Sequence, residues 1–84
     1  MLSEKAKKYI KDNQKLIEED NFQEFFNKCY EYNRCEIAEF FLLDCDINFL
    51  EYMIEIPDHL FFESKRLKNI FILDSVTYIG DYAF

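Results

Sequence analysis

Residues 56–84 read IPDHLFFESKRLKNIFILDSVTYIGDYAF, and the fold turns on how this stretch is understood. Pro57 has no amide donor and forbids helical continuation, and it biases Ile56 towards extended geometry. LKNIFIL, residues 67–73, predicts a short strand. Leu67, Ile70 and Ile72 would turn inward, with Asn69 and Phe71 outward. SVTYIGDYAF then offers Val76, Ile79, Ala83 and Phe84 as apolar positions, with Gly80 at a turn. A short strand, a turn and a single helical turn make one solenoid-like unit.

Upstream of Pro57 the pattern is helical. Leu2, Ala6, Tyr9, Ile10, Leu16 and Ile17 share one stripe, which predicts an amphipathic helix over 4–18 with Ser3 as its N-cap. Glu18-Glu19-Asp20-Asn21 breaks that pattern and suits the start of a second helix, where the dipole favours acids. Asp20 with Gln23, or Asn21 with Glu24, has capping-box spacing. FQEFFNKCYEY, residues 22–32, would bury Phe22, Phe25, Phe26, Cys29 and Tyr30. Asn33-Arg34 reads as a break. CEIAEFFLLDC, residues 35–45, is apolar on nearly all sides and predicts a central helix. Asn48 and Glu51 again have capping-box spacing, ahead of a short fourth helix that carries Phe49, Leu50, Tyr52, Met53 and Ile54.

Composition bounds what such a chain does. Its 84 residues allow one small domain, hiding roughly 60–65% of its unfolded surface. Ten Phe and six Tyr supply large rings to a modest core. One Gly and one Pro exclude collagen-like, linker-like and turn-rich β designs. The net charge of −7 argues against direct binding to nucleic acid or an anionic membrane. That charge is segregated: residues 1–15 carry +3, residues 16–63 carry −11 and residues 64–84 carry +1. Three cysteines without CxxC spacing cannot close a disulfide framework, and no signal peptide or membrane-length apolar run accompanies them. A reducing cytoplasm is the expected compartment, with the thiols as packing residues.

DSVTYIGDYAF, residues 74–84, closely resembles the repeat of BspA-type leucine-rich repeat proteins, whose units run roughly I-P-x-S-V-x-x-I-G-x-x-A-F. Ser75, Val76, Ile79, Gly80, Ala83 and Phe84 stand at the pattern's positions, while Leu73 occupies the usual Pro site. IPDHLFFESKRLKNIFI resembles a shortened first unit, with Ile56-Pro57, then Leu60-Phe61 for Ala-Phe, then Leu67, Ile70 and Ile72. FFLLDCDINFLEYM, leading into Ile56-Pro57, resembles the helical caps of such repeats in bacterial and phage-encoded proteins. EIAEFFLLDCDIN also echoes an ankyrin helix, but the T-P-L-H-x-A opening of that repeat is absent. The resemblance implies α+β architecture in one domain, 1–84, with a helical cap of about four helices over 1–55 and a leucine-rich-repeat-like segment over 56–84. It also implies binding to another protein rather than catalysis. Arrays of this kind need about three units, and here there are barely two. The chain is therefore a fragment, a small protein whose helices replace repeats, or one whose open C-terminal end is covered by a second copy or a partner.

Residue chemistry adds little to that expectation. His59 has no positioned nucleophile or acid–base partner in the sequence, so no catalytic residue is assigned. Cys29, Cys35, Cys45 and His59 lack paired ligand spacing, and Asp44, Asp46 and Asn48 open a calcium-like loop whose glycine position is Phe49. Neither supports a metal, and no cofactor is expected. The expected contact surfaces are Asn69 and Phe71 on the strand face, with Glu24, Glu31, Glu36 and Glu39 on polar helix faces. The competing reading uses those four carboxylates differently: a small acidic phage or prophage protein would mimic nucleic-acid charge and occlude a nucleic-acid-binding enzyme, as anti-CRISPR-like inhibitors do.

Overall fold

The computed structural model describes residues 2–67, 70 and 72–84. Four helices come first: α1 (Glu4–Asp12), α2 (Gln14–Glu18), α3 (Phe22–Lys28) and α4 (Glu31–Glu39). A π-helical turn (Phe40–Asp44) and a 3-10 turn (Phe49–Tyr52) follow, then strands β1 (Glu55–Ile56) and β2 (Tyr78–Ile79). The N-terminal helical block is what the sequence predicted in outline; the small parallel sheet falls where no strand was expected. Among the described residues no helix is long and apolar enough to cross a membrane.

Local chemistry sets the helix boundaries, and in two places it overrides the periodicity. Ser3 caps α1 as expected, its hydroxyl accepting from Ala6 N at 3.2 Å. The predicted 4–18 helix is divided, because Asn13 donates its side-chain amide to Tyr9 O at 2.9 Å and its backbone leaves helical geometry at φ −119°. Asn21 caps α3 through Glu24 N, and its amide returns to the Glu24 carboxylate, so the capping box is the Asn21–Glu24 alternative. The box expected at Asn48–Glu51 is not made; only the backbone bond from Glu51 N to Asn48 O is present.

The second predicted helix ends early. Cys29 and Tyr30 are extended, and α4 runs straight through the break expected at Asn33-Arg34. Arg34 explains the shift. Its guanidinium donates to Asn27 O at 3.2 Å, Cys29 O at 3.2 Å and Asp58 O at 2.7 Å. The first two are carbonyls at the C-terminal end of α3, where a cation compensates the dipole and fills orphaned acceptors. Tyr30, expected inside, is 52% exposed as a result.

Rings dominate the core. Phe22, Phe25, Phe26, Phe41 and Phe49 are all buried, with centroid separations from 4.7 to 6.2 Å and mostly edge-on or tilted geometry. Ile37 and Ala38 of α4 are fully buried among them. The π-helical turn carries the run Phe40–Leu43 past this cluster, turning Phe41 inward and leaving Leu43 44% exposed. Met53, Ile56, Leu60, Phe61 and Ala83 continue the same core into the C-terminal segment.

That segment repeats itself in space. β1 and β2 pair in parallel, Glu55 beside Tyr78 and Ile56 beside Ile79, an offset of 23 residues. The ladder extends beyond the strands: Thr77 N donates to Ile54 O (2.7 Å), Gly80 N to Ile56 O (2.7 Å), His59 N to Asp81 O (3.0 Å) and Phe61 N to Ala83 O (2.8 Å). Side chains keep the offset too, with His59 against Tyr82 and Phe61 stacked on Phe84. Even the backbone recurs, since His59 (φ 65°) and Tyr82 (φ 55°) are both left-handed.

Three expectations are corrected here. The strand expected over 67–73 is absent among its described residues. Leu67, Ile70 and Ile72 are non-helical and half-buried against the core, while Asn69 and Phe71 lie outside the described residues. One offset earlier, Asp44 ends the π-helical turn and Phe49 opens the 3-10 turn, with no strand between them. Ile56-Pro57 sits opposite Ile79-Gly80 rather than matching the Ile72-Leu73 site. Gly80, expected to supply a turn conformation, has no positive φ; it is needed because a Cβ there would lie 2.7 Å from Asp58 N and 2.9 Å from Ile56 O.

Candidate interaction surface

The two stacked segments, 54–61 and 77–84, expose opposite fates for equivalent residues. Ile56 is fully buried, whereas Ile79 is 49% exposed; Phe61 is 2% exposed and Phe84 55%. Tyr78 and Tyr82 are also more than half exposed. The upper segment covers the lower one, and its own upper face meets solvent. Covering Ile79 and Phe84 would remove on the order of 100 Å² of apolar surface each, roughly 2–3 kcal/mol apiece before association costs.

Polar groups on the lower segment show how its face is covered within the molecule. Asp58 Oδ1 accepts from Asp81 N at 2.7 Å, and Ile54 O accepts from both the amide and the hydroxyl of Thr77. Arg34 holds Asp58 from behind through its carbonyl. The matching groups on the upper segment are the Asp81 carboxylate, Thr77 O and Ile79 O. A β-edge with a carboxylate beside it offers main-chain pairing plus one charge-assisted bond.

The carboxylates singled out from sequence have separate surroundings. Glu24 serves the α3 cap. Glu36 accepts from Ser3 N at 2.7 Å and Asn33 Nδ2 at 2.9 Å, tying α4 to the start of α1. Glu39 accepts from Ser64 Oγ at 2.7 Å and Arg66 N at 3.2 Å, tying α4 to the C-terminal segment. Glu31 opens α4 with its Oε2 3.4 Å from the buried Nδ1 of His59. Two of the four are thus structural anchors. Asn69 and Phe71 lie outside the described residues.

His59 is surrounded by the rings of Tyr32, Phe62 and Tyr82 at 5.2–5.4 Å. Burial pushes the Cys29 and Cys35 thiols up to about 11, and burial also raises that of the more open Cys45, all away from thiolate chemistry at neutral pH. Among the described residues no three His, Cys, Asp or Glu side chains converge as a metal site requires.

Sequence reasoning missed Arg34, Asp58, Asp81 and the exposed Tyr78 and Tyr82. A signal for most of them was present. Ile-Pro-Asp-His-Leu-Phe (56–61) and Ile-Gly-Asp-Tyr-Ala-Phe (79–84) share Ile, Asp and Phe at the same places, 23 residues apart. Arg34 left no such trace, since its three acceptors are backbone carbonyls. Comparisons of the chain with family models, with curated proteins and with solved structures return no match.

Proposed function

We propose that this chain is a non-catalytic protein–protein interaction module related to BspA-type leucine-rich repeat proteins, and that it engages another protein, or a second copy of itself, through the open end of its stacked segments. The observation that carries the reading is the 23-residue register, which gives the upper segment the same face that the lower segment has already buried. The helical block acts as the cap on the other side, and a cytoplasmic setting fits the free thiols. Charge mimicry by an anti-defence inhibitor draws less support, because Glu36 and Glu39 spend their carboxylates inside the molecule.

The test uses a synthetic peptide of residues 72–84 and the intact chain. Added peptide should shift the amides of Tyr78–Phe84 in an NMR titration, and sedimentation should show any self-association through the same end. Ile79→Glu should abolish both, because it places a charge on the pairing face. If neither peptide nor a concentration series perturbs those amides, the open end is not a binding surface.

A further inference from the structure

A second surface runs up the side of the molecule. Tyr30, Tyr32, His59 and Tyr82 form a continuous row of rings with successive centroids 5.3–5.4 Å apart, crossing from the helical block to the upper segment. Tyr30, Tyr32 and Tyr82 are 52%, 63% and 67% exposed, so the row is an open face and not core. Glu31 lies beside it, and among the described residues its carboxylate accepts no hydrogen bond; its Oε2 stands 3.4 Å from His59 Nδ1. One end of the row already holds a cation, since Lys5 Nζ stands 4.0 Å from the Tyr30 ring centroid.

We infer that this tyrosine row, with Glu31 beside it, is a docking surface for a basic peptide segment of a partner protein. Tyrosine faces attract ammonium and guanidinium groups, and a carboxylate beside them adds a directional acceptor. The whole chain carries a net −7, so the long-range field draws the same cationic ligand. Tyrosines also give large contact area at low entropic cost, which favours them at binding centres. This goes beyond the stack-end proposal: it concerns a different face, shares only Tyr82 with it and stands if Ile79→Glu proves silent.

The probe is the peptide acetyl-Gly-Arg-Gly-Arg-Gly-amide, with its citrulline analogue as the isosteric neutral control, titrated into the intact chain by NMR. The arginine peptide should move the resonances of Tyr30, Tyr32, Glu31, His59 and Tyr82, and the citrulline peptide should leave them in place. The double variant Tyr32→Leu/Tyr82→Leu keeps every charge and should weaken binding about tenfold. Glu24→Gln, remote from the row, should change affinity less than about twofold. Equal effects from both peptides, shifts scattered over the acidic surface with the double variant binding as well as the wild type, or the same resonances moving on dilution of the chain alone would each overturn the inference. The last result would assign the face to a second copy.

Discussion

Replacing Gly80 with alanine puts a methyl group against Asp58 Oδ1, 2.7 Å from Asp58 N and 2.9 Å from Ile56 O. Two of these neighbours are backbone atoms of the lower segment and cannot swing aside. Gly80 has no positive φ, so the substitution tests contact alone and not backbone freedom. To relieve the overlap the segments must separate, straining the bonds from Gly80 N to Ile56 O and from Asp81 N to Asp58 Oδ1. Overpacking costs about 1–3 kcal/mol and the two strained bonds, weakened but not broken, together about 1 kcal/mol, so the loss should be about 2–4 kcal/mol. With a urea m-value of about 1 kcal/mol/M for a chain this small, the midpoint should fall by roughly 2–4 M. Urea unfolding followed by circular dichroism reads this directly. Adding Asp58→Ala removes the side-chain clash but leaves both backbone contacts, so it should recover less than half of the loss. A midpoint within roughly 0.3 M of wild type for Gly80→Ala would refute the close stacking.

Other consequences follow from single residues. Arg34→Ala should destabilise the chain by about 2–4 kcal/mol, because three carbonyls lose their shared donor, and Arg34→Lys should rescue only part of this in thermal unfolding. Alkaline titration should show coupled unfolding. Burial raises Tyr9 to about 12 and Cys29 and Cys35 to about 11, so the stability they contribute is complete below the unfolded values near 10 and 9. It is lost as pH rises towards 11 and 12, read as a late step in tyrosinate absorbance at 295 nm. Cys45 is the exposed thiol and should react first with a disulfide reagent at pH 8, with Cys29 protected until global unfolding; equal rates for all three thiols would contradict the burial pattern.

Much of the helical half was legible because its apolar spacing and its caps agree. Ser3, Asn21 and the Phe22–Phe25–Phe26 stripe each report a local rule that the tertiary structure keeps. The break at Glu18–Asn21 was legible, but those at Asn13 and at Cys29-Tyr30 were not. Asn13 ends a helix through one side-chain bond, and Arg34 moves a boundary by reaching carbonyls 5, 7 and 24 residues away, contacts that leave no periodic signal. In the C-terminal segment Leu67, Ile70 and Ile72 were correctly placed against the core, yet the strand was assigned to them instead of to 55–56 and 78–79. Alternating hydrophobicity marks which residues face inward; it does not supply the neighbouring strand that an extended segment needs. The candidate surfaces were the least visible part. Glu36 and Glu39 occupy polar helix positions, as sequence indicated, but their acceptors are taken by Ser3, Asn33, Ser64 and Arg66, which only the fold brings near.

The parallel register of the two C-terminal segments underlies the proposed interaction surface at their open end, and cross-strand nuclear Overhauser effects measure it without mutation. Contacts should link Glu55 with Tyr78, Ile56 with Ile79, and the ring of Phe61 with that of Phe84, all in the single 23-residue offset. Contacts in another register, or their absence alongside helical contacts through residues 76–80, would contradict the account.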